Sequence, residues 1–458
     1  MGDKRQKNQM FLAFMREDGG EAPRTGSGGT EPPVAKRETE SPAEDERLME
    51  AICNRENLWK ALKRVQINKG SPGVDGMTVQ DLPEYLSQQW PAIRERLLQG
   101  TYKPEPGKRV EIPKPDGGVR MLGIPTTLDR FIQQAVLQVL QGQWDPTFSP
   151  HSYGFRPGRS AHQAVEAAQN HIADGYRWVV DLDLEKFFDR VNHDRLMAAV
   201  AQRVKDKRVL RLIRAFLNAG VMVNGLVSPT DEGAPQGGPL SPLLSNLVLD
   251  ELDRELAKRG HRFVRYADDC NIYVRSERAG QRVMASVTQF ISRRLKLKVN
   301  EAKSAVARPQ ERKFLGFSFT RGRELKRRIA PKALQRFKDR VRELTHRSRG
   351  ISLQRMVSEL AVYLRGWRGY FGFCQTLSEL EELDSWVRRR VRCFVWKQWK
   401  HFKRRVAELR KRGARKDLAA QTASSSHGPW RISHSPALSY AMPKAFFATL
   451  GLPLLNAR

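Results

Sequence analysis

Two short runs place acidic residues where apolar, β-prone sequence ends. In Trp178-Val179-Val180-Asp181-Leu182-Asp183-Leu184 the two-residue period of a strand puts Asp181 and Asp183 on one face. In Phe263-Val264-Arg265-Tyr266-Ala267-Asp268-Asp269-Cys270-Asn271-Ile272-Tyr273-Val274, two aspartates fall between apolar strands and so occupy a hairpin turn. Carboxylates on adjacent strands of one sheet are hard oxygen donors of the kind that two Mg²⁺ ions, about 4 Å apart, need for nucleotidyl transfer. One ion would activate a primer 3′-hydroxyl and the other would steady the leaving pyrophosphate. Aspartate is also a common turn residue, so on residue type alone Asp268-Asp269 equally suits a purely structural hairpin.

The elements that must position these carboxylates read as α+β. Arg109 to Ile112 and Val119 to Leu122 alternate like strands around Pro115-Asp116-Gly117-Gly118, a hairpin signal. Helical periodicity covers Thr127 to Leu140, Ala161 to Ala173 and His193 to Asn218. Strand patterns occupy Arg177 to Leu184, Arg262 to Tyr266 and Asn271 to Val274. From about Leu48 a helical pattern runs through Leu58, Leu62 and Val65 to the turn-rich Asn68-Lys69-Gly70-Ser71-Pro72-Gly73. Residues 1–45 include a Gly-, Pro-, Glu-, Ser- and Thr-rich stretch with few large apolar side chains, which predicts a disordered leader. After about Arg321 the strands are expected to stop and long basic helices to take over.

The 458 residues carry a formal net charge of +31. Residues 321–416 hold 29 Lys and Arg against 9 Asp and Glu, so about +20 of the total sits there. A charge of this size implies a polyanionic partner, with nucleic acid ahead of an anionic membrane because the basic residues are not confined to one amphipathic helix. Trp367, Tyr370, Phe371, Trp386, Trp396 and Trp399 are interleaved with the charge. They suit base stacking beside phosphate contacts, while for any one of them filling the core of a helical domain is the favoured reading. No apolar stretch approaches the roughly 20 residues of a membrane span. Gln6 stands where a myristoylation signal needs Ser or Thr, and there is no signal-peptide core, so a cytoplasmic protein is expected. Cys53, Cys270, Cys374 and Cys393 form no CxxC pair, against both a zinc site and a disulfide framework.

Tyr266-Ala267-Asp268-Asp269 resembles the YADD box of reverse transcriptases. Asp183-Leu184-Glu185-Lys186-Phe187-Phe188-Asp189 is similar to the partner motif on the neighbouring palm strand. Gly233-Ala234-Pro235-Gln236-Gly237-Gly238-Pro239-Leu240-Ser241-Pro242 resembles the PQG block, and Phe314-Leu315-Gly316-Phe317 the primer-grip hairpin. The four occur in the family's order. Gly70-Ser71-Pro72-Gly73-Val74-Asp75-Gly76, Leu122-Gly123-Ile124-Pro125-Thr126-Thr127-Leu128-Asp129-Arg130 and Tyr153-Gly154-Phe155-Arg156-Pro157-Gly158-Arg159-Ser160 resemble blocks of group II intron-encoded proteins. Tyr363-Leu364-Arg365-Gly366-Trp367-Arg368-Gly369-Tyr370-Phe371 looks like the signature of their maturase domain. The resemblance spans residues 46–455.

The resemblance implies an α+β right-hand polymerase, with fingers and palm built on antiparallel sheet, followed by an α-helical thumb or maturase domain. It divides the chain into an N-terminal extension and fingers (46–160), a palm (161–320), a thumb (321–416) and a nucleic-acid-binding tail (417–458). Asp183, Asp268 and Asp269 would be the metal-binding carboxylates, Asp183 being preferred to Asp181 by its spacing from Phe-Phe-Asp. Lys114 and Arg120 would grip the incoming triphosphate. Phe188 would exclude a ribose 2′-hydroxyl, and Gln236 and Gly237 would approach the nucleotide and template. Lys303 either brings charge to the site or is a surface lysine. Many relatives end in a zinc-supported HNH endonuclease; with no cysteine after Cys393, the resemblance is to endonuclease-lacking bacterial members. The implied activity is Mg²⁺-dependent copying of intron RNA into DNA from dNTPs at a DNA primer, together with maturase assistance to intron folding and splicing. Two rivals are an RNA-binding splicing cofactor without polymerase activity and a reverse transcriptase of another lineage.

Overall fold

Side chains that accept from exposed helix-end amides start many of the helices. Asn54 accepts from the Glu56 amide, Thr126 from Asp129, Asn192 from Arg195, Ser276 from Ala279 and Ser352 from Arg355. The computed structural model describes residues 47–113, 117–223, 226–228, 233, 237–322 and 324–456. The expected leader at 1–45 lies outside them. The chain divides into two units, one comprising the residues up to Ala164 with Val179–Val306, the other comprising Val165–Trp178 and the chain from Ala307 onward.

The first unit holds two four-stranded sheets. In one, β1 (Gly107–Pro113) and β2 (Val119–Ile124) form the expected hairpin, in register from Lys108↔Ile124 to Pro113↔Val119. β1 also runs parallel to β4 (Val221–Val223), which turns back antiparallel into β5 (Leu226–Ser228), giving the order β2-β1-β4-β5. The other sheet contains β3 (Trp178–Leu182), β6 (Arg262–Tyr266), β7 (Asp269–Val274) and β8 (Ala305–Ala307), in the order β6-β7-β3-β8. The central β7 is buried from Cys270 to Val274, which is why it reads as a continuous apolar run. Helices Thr127–Trp144 and Ser241–Lys258 supply much of the core. The helix expected over His193 to Asn218 is two, His193–Ala201 and Lys207–Asn218. Asp206 breaks it by capping the second, accepting from the Arg208 amide at 2.9 Å, and it also takes the Met49 amide at 3.0 Å.

In the second unit β9 (Phe317–Phe319) pairs antiparallel with β10 (Arg327–Ile329), so the expectation that strands end near Arg321 is corrected by one short strand. Helices Pro331–Leu344, Leu353–Phe371 and Leu377–Gln398 follow, then five shorter ones to Thr449. Trp367, Trp396 and Trp399 are buried core, so for these three the stacking role gives way to packing. Trp367 lies 4.4 Å from Phe337 and 4.9 Å from Phe371, centroid to centroid. The Phe314-Leu315-Gly316-Phe317 turn packs on the Tyr370-Phe371 end of its helix, the Tyr370 hydroxyl donating to the Leu315 carbonyl at 2.8 Å. Asp384, buried, accepts from the Leu455 amide at 2.9 Å and the Asn456 amide at 3.2 Å, fastening the last described residues to the Leu377–Gln398 helix. All four cysteines are buried and free, and no helix of the described residues is long and apolar enough to cross a membrane.

Asp129 ties the segment leading into β1 to the helix that follows the β1–β2 hairpin. Its carboxylate, 1% exposed, accepts from the Tyr102 hydroxyl (2.9 Å), the Thr126 hydroxyl (2.7 Å) and the Glu105 amide (3.1 Å). Burial pushes its pKa up to about 6, outweighing these hydrogen bonds. A raised folded-state pKa means that the stabilising contribution is complete below about pH 4 and is lost as pH rises through about 6. Between pH 4 and 7.5 wild type should therefore lose up to about 3 kcal/mol of unfolding free energy relative to Asp129→Asn. Parallel denaturation curves across that range would show a carboxylate ionised throughout.

Candidate active site

The antiparallel register of β6 and β7 closes on the pair Tyr266↔Asp269, leaving Ala267 and Asp268 as a two-residue turn. Ala267 takes φ +57°, a left-handed conformation that costs a residue with a Cβ about 1 kcal/mol or more. Asp268 and Asp269 are both partly exposed at this turn. On β3 and its continuation, buried Val180, Leu182 and Leu184 alternate with half-exposed Asp181 and Asp183, as the two-residue period requires. β3 is the sheet neighbour of β7. Buried Tyr273 and Cys270 are pushed up chiefly by burial, and both also feel the charges of Asp269 and Asp181. Asp181 on β3 and Asp269 at the start of β7 thus share one electrostatic neighbourhood.

Asp183 is held by the 298–304 segment. Its carbonyl accepts from the Asn300 amide at 2.8 Å, its own amide donates to the Ser304 hydroxyl at 3.0 Å, and Lys303 Nζ lies 3.6 Å from its Oδ2. Lys303 is thus both an exposed surface lysine, its side chain 68% accessible, and a positive charge beside Asp183. Among the described residues no three His, Cys, Asp or Glu side chains already stand together as a metal-holding group. Asp183, Asp268 and Asp269 nevertheless offer only carboxylate oxygens, on or beside the strands of one sheet, a donor set suited to a hard divalent cation and not to zinc.

What fixes the turn is a side chain the motif reading passed over. Arg265 is 1% exposed and pairs with Asp253, 0% exposed, at 2.6 Å. All five guanidinium hydrogens have acceptors. Nε donates to Asp253 Oδ1 (2.7 Å), one terminal nitrogen to Asn246 Oδ1 (3.0 Å) and the Ala267 carbonyl (2.8 Å), and the other to Asp253 Oδ2 (2.6 Å) and the Ser152 hydroxyl (2.8 Å). Burial works against the Arg265 charge, and Asp253 more than offsets it, leaving its pKa raised. Asn246 also donates to the Gly154 carbonyl at 2.9 Å, and the Tyr153 amide to the Arg265 carbonyl at 2.9 Å. Residue 154 must be glycine here, since a Cβ would overlap the Ala267 amide nitrogen. An arginine in the middle of an apolar strand was the available signal for this brace.

Phe188 is half-buried, while Phe187 takes the core position, with ring centroids 5.2 Å apart. Gly237 has φ +131°, and a Cβ there would come within 2.7 Å of the Gly123 carbonyl, so packing on the Leu122-Gly123-Ile124 block is itself a reason for glycine. Lys114 and Gln236 lie outside the described residues, as does the side chain of Arg120, whose backbone pairs with Ile112.

Arg265→Met should lower unfolding free energy by about 3–5 kcal/mol by orphaning Asp253. Arg265→Met combined with Asp253→Leu should recover most of that loss in denaturant titrations. Hydrogen exchange of the Tyr266–Asp269 backbone should stay faster than wild type in both, because the Ala267 carbonyl has lost its donor. Wild-type exchange rates in the double variant would show that the guanidinium does not hold the turn.

Residues 112–319 match the reverse transcriptase (RNA-dependent DNA polymerase) family, and residues 334–413 the group II intron maturase-specific domain. Protein YkfC of Escherichia coli (strain K12) is 40% identical over 220 residues, 47% of this chain and 58% of that protein. The group II intron-encoded protein LtrA of Lactococcus lactis subsp. cremoris is 35% identical over 45% of this chain and 35% of its own length. The retron Mx65 reverse transcriptase of Myxococcus xanthus is 31% identical over 43% of this chain and 47% of its own. The chain thus covers less than two thirds of each of these relatives. A reverse transcriptase match followed in series by a maturase-specific match is thus what this chain shares with known proteins, group II intron-encoded LtrA among its similar relatives.

Proposed function

We propose that this chain is an RNA-directed DNA polymerase that copies group II intron RNA into DNA and assists the folding and splicing of that RNA, acting in the bacterial cytoplasm. The observation that carries the reading is the set of carboxylates at the end of β3 and in the β6–β7 turn, the latter braced by buried Arg265. Asp183, Asp268 and Asp269 would hold two Mg²⁺ ions, which when bound activate the primer 3′-hydroxyl and neutralise the leaving pyrophosphate. Lys303, 3.6 Å from the Asp183 carboxylate, would offset part of its negative charge. Lys114 and Arg120 would take the triphosphate of the incoming dNTP, and Phe188 would meet its sugar where a 2′-hydroxyl would project. Gln236 and Gly237 would close on the nucleotide and template, with Gly237 backed by Gly123.

The maturase role rests on the second unit. Its surplus of Lys and Arg within residues 321–416 would neutralise phosphates of the folded intron, and residues 417–458 would extend that surface. The maturase-specific match favours an intron RNA over the self-encoded templates of other reverse transcriptase lineages.

Wild-type protein should extend a DNA primer on an RNA template with dNTPs and Mg²⁺. Asp183→Asn and Asp268→Asn, each removing one negative ligand at nearly constant shape, should lower kcat about a thousand-fold while hybrid binding changes little. No extension by any of the three, with intron RNA still bound tightly, would turn the reading to the splicing cofactor. Intron RNA affinity should fall roughly a thousand-fold between 50 and 200 mM salt, and a flat response would contradict the phosphate-contact account.

A further inference from the structure

Phe155 combines two features that bulky residues avoid. The residue is 47% exposed, and its backbone lies at φ +59°, in the left-handed region. The chain accepts both because its neighbours allow nothing else. Gly154 is pressed against the Ala267 amide, and its carbonyl is held by Asn246. On the other side Arg156 is buried, its Nε 2.8 Å from Asp145 Oδ1, and it donates to the carbonyls of Ser149 (2.6 Å) and Ser152 (3.0 Å). Residues 154 and 156 are therefore both pinned, and the ring between them projects outward. It leaves the backbone one residue from Gly154, whose contact is the turn carrying Asp268 and Asp269. Exposed Arg159 lies 5.5 Å over the Tyr153 ring and adds positive charge to the same loop.

We propose that the Phe155 ring contacts the terminal base pair of an RNA–DNA hybrid beside the catalytic turn, against its sugar or base edge. Strained backbone persists where surrounding structure over-determines it, and it concentrates at substrate-handling sites. Exposed in the free protein, this ring adds little to the core, and a nucleotide face would cover it by stacking or apolar contact. The contact rests on the polymerase reading for its choice of ligand.

The test uses a labelled DNA primer annealed to an RNA template with a recessed 3′ end, in fluorescence anisotropy without dNTPs, alongside thermal unfolding of the free protein. Phe155→Gly should unfold at the wild-type temperature or above, because glycine relieves the left-handed backbone, yet its Kd for the hybrid should rise roughly tenfold. Phe155→Leu, which keeps the strain and part of the apolar area, should fall between. An unchanged Kd for Phe155→Gly overturns the contact, as does a Kd and a Tm that worsen together, since the ring would then serve the fold. A wild type that does not bind the hybrid overturns it too. The two readings fail separately. If wild type binds the hybrid and responds to Phe155→Gly but never extends it, the contact stands and the polymerase reading falls; if wild type extends while Phe155→Gly binds unchanged, only the contact falls.

Discussion

The geometry of the candidate site hangs on one buried ion pair, Arg265 with Asp253. Burying two charges is costly, and a fully buried pair adds little net stability against a well-packed apolar alternative. Its value is directional. A guanidinium is a planar fork, and here each of its five hydrogens has a separate acceptor, so the loop at Ser152, the Ser241–Lys258 helix, β6 and the Ala267 carbonyl can meet in only one arrangement. Two adjacent aspartates repel each other before any cation arrives. A turn that must hold them in place cannot rely on those side chains for its shape, and the Arg265 contact to the backbone supplies what they cannot.

Strain follows the same logic. Six non-glycine residues among those described have left-handed backbone. Lys69 and Lys296 end helices, where that conformation is ordinary. Three others lie in the first unit: Phe155 is the exposed residue of the 153–160 loop, Lys186 precedes the Phe187-Phe188 pair and Ala267 is in the carboxylate turn. The sixth, Leu315, forms the tight turn under Tyr370. Strain that gathers on the motif loops and otherwise only at helix ends marks where the fold gives up stability for placement.

Local pattern made the carboxylates, the hairpins and the main helices readable, because a period of two or of 3.6 survives without tertiary information. The errors have tertiary causes. The break between His193–Ala201 and Lys207–Asn218 shows locally only in the five-residue step from Val204 to Val209, which turns the apolar face by about 140°, and in the capping role of Asp206, while buried apolar residues continue on both sides. β10 reads as basic surface, since Arg-Arg-Ile has no strand signature until Phe317–Phe319 is beside it. Arg265 reads as one charge among 81 Lys and Arg. Its partners lie 12, 19 and 113 residues away, and no window of sequence holds them together.

The aromatic residues of the second unit show how so basic a segment can fold. Arg405 lies 4.6 Å over the Trp396 ring, Arg412 5.0 Å over Trp399 and Arg389 3.9 Å over Trp430. Stacked arginines bury their stems and ring-facing planes while the guanidinium edges still reach water. Interleaving charge with tryptophan therefore builds core and basic surface from the same residues, which is why the pattern is compatible with base stacking as well as with the favoured packing reading. Mutual repulsion among the remaining cations is left for a polyanion to relieve, so binding of a polyanion and the stability of this unit would draw on the same electrostatic term.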